Sequence, residues 1–436
     1  MVIGDKLADI TGNKTFVDTE DRYKEVAIED IPILYCPDGS ICCIPKTKEV
    51  KAIAFVGNSG SGKSLAMNRL HSHIFYQWRS NVAIMNDVSD ETYKWSEPMT
   101  NRIFNDFNKK ILNQSPVESP IVYVFPHSKT IEVDRDSLYE NDKCFIKSVL
   151  PFEKVVEEIG FYLSGVSPDF ELGKSGMYVN DIKEKLIECE TPSQIRLCLE
   201  ENLPGTDGKS FGAMRTKIIT AFDSLVSEQI LDITNPECHA YLRLEHSNLL
   251  ENPLTIIMKS GRIPSLMTSD LINKKYKSQV FAYYIDALFE SNLRIFNNKK
   301  TYMFFDELRD VCGKEDEPAT MSLSRIASRG RIKNIGLVYA TQFYNQIPHK
   351  VRGAKLNYLF AFKHGDEQIV DVIKKDFSLS RENKQKIFKL NTFECLAMTQ
   401  DHFVFYRDNE KWTSSDPVVG RIFYPLADHK SGGSNE

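Results

Sequence analysis

Residues 51–79 read KAIAFVGNSGSGKSLAMNRLHSHIFYQWR. The apolar run at 52–56 has the composition of a buried strand, and after the glycine-rich stretch Leu65, Met67, Leu70, Ile74 and Trp78 recur at helical spacing. Between them Gly57-Asn58-Ser59-Gly60-Ser61-Gly62-Lys63-Ser64 matches G-x-x-x-x-G-K-[ST], and its strand-loop-helix setting is the context that gives this pattern meaning. Glycines let the backbone N–H groups from Ser59 to Ser64 converge on a β-phosphate, and the helix start, with Leu65 in its first turn, adds positive partial charge. Lys63 reaches the β and γ oxygens, and Ser64 is placed to ligate Mg²⁺. NVAIMND at 81–87 follows as a second buried strand, so the segment opens a parallel α/β sheet.

Outward from this loop the chain has 436 residues, enough for two or three domains of ordinary size. Hydrophobic residues make up 42% and charged residues 26%, which excludes a disordered tail protein or a coiled-coil rod. A formal net charge of −5 excludes a global basic field, so any nucleic-acid contact has to be local. The nine cysteines are odd in number and scattered, unlike a secreted disulfide framework. The start lacks a basic-then-apolar signal, and no apolar run reaches the ~18 residues needed to span a bilayer. These features lead to the expectation of a cytoplasmic protein without a membrane segment.

Residues 1–48 are expected to form a short β-rich segment around the turn signal Pro37-Asp38-Gly39. Residues 49–130 and 251–420 are expected to form the α/β core, with further strands at IVYVFP (121–126), LTIIM (254–258), IPSLMTSDL (263–271), TYMFFDE (301–307), IGLVYATQ (335–342) and YLFAFK (358–363). The stretch 131–250 reads as a helical insertion, and 421–436 as a flexible polar tail.

Hydrolysis needs a metal-side carboxylate and a base. In TYMFFDE four apolar or aromatic residues, Tyr302 to Phe305, form a buried strand that ends in Asp306, placed to hold a Mg²⁺-bound water, and Glu307, placed to activate the attacking water. Gln342 closes another buried strand, where α/β sheets present ligand contacts, and is a candidate γ-phosphate sensor. In Ser324-Arg325-Ile326-Ala327-Ser328-Arg329-Gly330-Arg331 the apolar residues share a helical face and leave the arginines outside it, as groups suited to the charge of phosphoryl transfer.

The order of phosphate loop, Asp-Glu strand, S-R-x-x-S-R-G-R helix and G-L-V-Y-A-T-Q strand resembles the FtsK–HerA superfamily of ring ATPases, most of all its HerA branch. The resemblance is one of motifs, over about 50–90 and 250–400. It implies a RecA-like P-loop core, ATP and Mg²⁺ as cofactors, a homohexamer acting on double-stranded DNA, and a nuclease or other protein as a further partner. Residue by residue it makes Lys63 and Ser64 the phosphate and Mg²⁺ groups, Asp306 the metal-side acid, Glu307 the base and Gln342 the sensor. One or more of Arg325, Arg329 and Arg331 touch nucleotide, in the same subunit or across the ring, with Arg352 a second candidate. Asp87 or Asp90 falls where relatives carry an acidic loop facing the next subunit.

The chain departs from the family pattern in two places. Only about 48 residues precede the core, so a complete N-terminal barrel is not expected, and FYNQIP follows Gln342 where relatives carry R-P-S. Candidate polymer contacts are Lys259 and Arg262, then Lys274, Lys275 and Lys277, then Lys350, Arg352 and Lys355. Two other readings stay open. One is an ATPase of the same fold acting on a protein or secretion substrate, or on viral genome packaging; the other is a nucleotide-switched module of a defence or repair complex.

Overall fold

The computed structural model describes residues 29–87, 95, 98–126, 145–147, 174–203, 209–227, 253–268, 274–295, 299–315, 317–352, 356–408 and 410–426. Within these, one fourteen-stranded sheet runs through the molecule, its strands numbered in chain order. Across the sheet, the parallel half runs β10 (Tyr358–Phe362), β3 (Ile53–Val56), β9 (Ile335–Thr341), β8 (Thr301–Phe305), β4 (Asn81–Asp87), β7 (Ile263–Met267), β5 (Ile121–Phe125) and β6 (Phe145–Lys147). Beyond β10 the sheet turns antiparallel through β11 (Glu394–Thr399), β14 (Val418–Ile422), β1 (Ile31–Tyr35), β2 (Ile41–Ile44), β12 (Phe403–Arg407) and β13 (Glu410–Ser414).

Alternation along each strand sorts its side chains onto two faces. Ile53, Phe55, Tyr302, Phe304, Val338 and Ala340 pack with the helix Lys63–Tyr76 on one face. Ala54, Val56, Met303, Phe305, Leu337 and Tyr339 pack on the other, under the helices Lys274–Ile295, Pro318–Arg329, Glu367–Asp376 and Arg381–Lys389. A parallel sheet covered on both faces reads as near-continuous apolar runs, which is why the central strands were legible.

LTIIM at 254–258 is not a strand. It lies in the helix Pro253–Lys259, which begins at a proline and buries Leu254, Ile257 and Met258 at helical spacing. A short apolar run satisfies both patterns, and the proline is the feature that decides between them.

The hairpin β1–β2 is built into the same sheet as the C-terminal strands, through β1 with β14 and β2 with β12. Arg69, fully buried on the helix Lys63–Tyr76, ties these parts together. Its guanidinium donates to Pro32 O (2.7 Å), Tyr424 O (2.7 Å) and Gln114 Oε1 (2.8 Å). Within 131–250 the described pieces are β6 and four helices, Lys174–Asp181, Lys183–Ile187, Pro192–Asn202 and Lys209–Ser227. Val179, Leu186, Ile195, Leu199, Ile218 and Phe222 of these helices join the apolar cluster on the second face. The first residues of the expected flexible tail are instead part of the fold: Arg421 and Ile422 end β14, and Phe423, Tyr424 and Leu426 are buried apolar groups; residues 427–436 lie outside the described residues. No helix among the described residues is long and apolar enough to cross a membrane.

Candidate nucleotide site

The phosphate loop leaves β3 at the carboxyl edge of the parallel strands and is fixed by backbone bonds to its neighbours. Gly57 N–H donates to Thr341 O (3.3 Å) after β9, and Asn58 N–H donates to Lys363 O (3.1 Å) after β10. A side chain at Gly57 would place its Cβ 2.6 Å from Phe362 Cβ, so this approach requires glycine. Gly62 stands at φ +112°, a conformation open to glycine, and caps the helix Lys63–Tyr76 without any side-chain bond. The first turn carries no acid, so the helix start offers its N–H groups to an anion. Phe393, itself at φ +66°, donates its N–H to Ser61 O (3.1 Å) and braces the loop from the antiparallel half.

Lys63 is buried and donates to Asn58 O (2.8 Å), folded back over the loop it serves. Ser64 Oγ donates to Asp306 Oδ1 (3.2 Å), across 242 positions of sequence. A hydroxyl and a carboxylate oxygen this close are a hard-oxygen pair of the kind Mg²⁺ takes when phosphates and water complete its shell. Among the described residues no group of three or more His, Cys, Asp or Glu could hold a metal ion by itself.

Glu307 is held on both oxygens. Thr341 Oγ1 donates to Oε1 (2.5 Å), and the Gln342 backbone N–H donates to Oε2 (3.0 Å). Burial pushes its carboxyl above the ordinary value of 4.5; the two hydrogen bonds and the Lys63 charge oppose the rise without cancelling it. A carboxylate with a raised pKa, oriented beside a phosphate loop, is equipped to take a proton from water.

Gln342 therefore acts on Glu307 through its backbone. Its carbonyl is also engaged: His364 Nδ1 accepts from Asp366 N–H (3.1 Å), which leaves Nε2 as the donor to Gln342 O (3.0 Å). The peptide after β9 is clamped from both sides. Sequence reading missed Thr341 and His364, although both are polar groups at or just past the carboxyl end of a buried parallel strand, the same signal that pointed to Gln342. Replacing His364 by leucine is expected to lower ATP turnover about tenfold, the value of one buried hydrogen bond, with nucleotide affinity unchanged. His364→Gln, which keeps a donor, is expected to recover most of the loss; equal turnover in all three proteins would remove His364 from the site.

The arginines lie elsewhere. Arg331 precedes β9, and Gln342 follows it, so a seven-residue strand of about 23 Å separates them. Arg331 Nη1 is 3.4 Å from Glu49 Oε2 at the amino edge, and Arg329 is exposed with no partner for its guanidinium among the described residues. Contact with their own subunit's nucleotide is thus excluded. Arg325 pairs with Asp286 (3.4 Å) in mid-helix. Arg352 is nearly buried against Asp376 (3.0 Å) and stacks over Tyr344, an internal brace and not a projecting finger. Lys350 pairs with Glu315 (2.9 Å). Asp87 ends β4, and Asp90 and Lys355 lie outside the described residues, as do the side chains of Asp87, Lys274 and Lys275.

No protein-family model and no curated protein matches the sequence. Solved structures do. VirB4 of Thermoanaerobacter pseudethanolicus is similar over 90% of this chain and 96% of its own, at 13% identity and a TM-score of 0.52. The plasmid coupling protein TrwB in complex with ADP and Mg²⁺ aligns over 89% and 90%, at 12% identity and a TM-score of 0.46. The genome packaging NTPase B204 of Sulfolobus turreted icosahedral virus 2 aligns over 86% and 98%, at 11% identity and a TM-score of 0.34. The VirB4 likeness, at this identity, is one of fold. The class it defines, together with the parallel sheet and loop, is the RecA-like P-loop ATPase fold.

Proposed function

We propose that this chain is an ATP-hydrolysing ring motor of the FtsK–HerA superfamily that moves double-stranded DNA, working as a homohexamer. One observation carries the reading: Lys63 and Ser64 of the loop lie near Asp306 and Glu307, just past β8, at one edge of the sheet, with Glu307 oriented by Thr341 and Gln342. These residues hold the pieces hydrolysis needs. Lys63 turns from Asn58 O to the β and γ oxygens, and Glu307 accepts a proton as water oxygen bonds to the γ-phosphorus and the bond to the β–γ bridging oxygen breaks. Mg²⁺ held by Ser64, with Asp306 behind it, would neutralise charge on the phosphates.

A ring is supported by the position of Arg329 and Arg331. They lack a role at their own site, and a head-to-tail ring that brings the start of β9, where they stand, to its neighbour's nucleotide leaves the starts of β8, β4 and β7 uncovered. The Arg331–Glu49 pair is solvent-exposed and contributes little, so its exchange for a phosphate is cheap. Subunit mixing tests this. Lys63→Ala and Arg329→Ala/Arg331→Ala proteins are each expected to be inactive. Mixed in equal parts they are expected to regain up to about one quarter of wild-type turnover, because half the sites keep Lys63 and half of those face an intact arginine pair. No recovery, or full activity of the arginine variant alone, would refute the trans arrangement.

A further inference from the structure

Parallel strands all begin at one edge, and in this sheet that edge is cationic. Lys51 stands before β3, Lys333 before β9, Lys299 and Lys300 before β8, Arg79 before β4, and Lys259 and Arg262 before β7. These five strands are consecutive neighbours, so their starting residues form a row about 19 Å long at ~4.8 Å per strand. The loop leading to β3 adds Lys46 and Lys48, both exposed, and Lys300 Nζ donates to Thr47 O, which brings that loop against the start of β8. Burial, and after it the charges of neighbouring cations, lower the lysine pKa values: Arg79 acts on Lys299, and Lys46 and Lys51 act on Lys300. Acids are interspersed on this edge: Glu49 pairs with Arg331, Asp401 with Lys51 (2.5 Å), buried Asp30 takes the Lys46 N–H and the Lys411 ammonium, and exposed Glu29 and Glu118 stand near Trp78 and ahead of β5.

We propose that this amino-edge surface, centred on Lys46, Lys48, Arg79, Lys299 and Lys300, holds the phosphate backbone of duplex nucleic acid. The assignment rests on the DNA-motor reading and says where that polymer is held. A row of this length spans about five phosphates of one strand at 3.4 Å each along the helix axis. The cations sit on strand starts and short loops, so contacts go to backbone and not to base edges. Aromatic side chains near this edge are buried or already packed: Trp78 and Tyr302 are buried, the half-exposed Phe75 and Tyr76 pack edge to face on each other, and the exposed Phe343 lies at the opposite edge. Lysines at several strand starts also reconcile the net charge of −5 with a polyanionic partner, because the positive charge is concentrated locally.

The test is the triple variant Lys46→Gln/Lys48→Gln/Lys299→Gln in the full chain, none of whose positions touches the nucleotide site. Binding of a labelled duplex, of the matching single strand and of poly-glutamate is measured by anisotropy between about 50 and about 200 mM salt. Wild type is expected to prefer the duplex, with log K falling linearly with log salt. The variant is expected to flatten that slope by about 2.7 and to weaken duplex binding at least about tenfold at low salt, with DNA-free ATP turnover unchanged. Duplex binding of wild-type affinity and slope in the variant overturns the surface alone. A wild type that hydrolyses ATP and binds no nucleic acid overturns the DNA-motor reading and the surface with it, and preference for poly-glutamate assigns the edge to an acidic protein instead.

Discussion

Glu307→Gln is expected to lower ATP turnover by about 10²–10⁴-fold while nucleotide affinity stays within about threefold of wild type. The amide keeps the shape and an oxygen for Thr341 Oγ1 or Gln342 N–H, so the clamp after β9 persists. What is lost is the group that accepts the proton. Single-turnover hydrolysis with a parallel nucleotide titration separates the two effects; equal losses in binding and turnover would make Glu307 a structural residue. The raised pKa adds a signed expectation. A carboxyl whose folded value lies above the ordinary 4.5 contributes stability that is fully present below 4.5 and is lost as pH rises through the folded value. At neutral pH the ionised Glu307 therefore costs stability. The glutamine variant should unfold at higher denaturant there, with the gap closing toward pH 4.5, and the wild-type acid limb of turnover should fall above that pH.

Lys63→Ala is expected to weaken ATP binding by about 2–4 kcal/mol, roughly 30- to 1000-fold in Kd, through loss of charge-assisted contacts to the β and γ oxygens. Lys63 is a buried cation that donates to a carbonyl of its own loop, Asn58 O. The alanine variant leaves Asn58 O in a loop already fixed by Gly57 and Asn58 to β9 and β10, so the fold is expected to survive. Its charge also favours ionised Glu307, and its removal should push that carboxyl higher still. Fluorescent-nucleotide titration reads the affinity; wild-type binding by the variant would deny the loop its role.

Much of this was legible because the chemistry is written in contiguous residues. A phosphate loop needs its glycines, Lys63 and Ser64 in one run, and the two-faced burial of β3, β8, β9 and β10 makes each an uninterrupted apolar segment ending in a functional group. Of the antiparallel half only β1 and β2 were legible, as the β-rich segment around Pro37-Asp38-Gly39. Strands β11 to β14 were not: β13 is largely exposed, and the partners of β14 and β12, β1 and β2, lie more than 350 residues away, so nothing local specifies that pairing. LTIIM at 254–258 fitted strand and helix alike, and only Pro253 favoured the helix. At the candidate site, the position of Asp306 and Glu307 after an apolar strand was what the sequence offered for them. Thr341 was passed over as strand, His364 as one histidine among nine, and the distance of Arg329 and Arg331 from the loop depends on strand direction, which residue types do not carry.

The central claim is that this chain couples ATP hydrolysis to duplex DNA. Its most direct test is the steady-state ATP hydrolysis rate with and without duplex DNA at low and high salt. Turnover that rises with duplex and loses that stimulation as salt increases, with both the basal and the stimulated rate absent in Glu307→Gln, is the predicted result. Wild-type hydrolysis indifferent to duplex at both salts would contradict the motor on DNA while leaving the ATPase, and no hydrolysis under any condition would contradict the catalytic assignment itself.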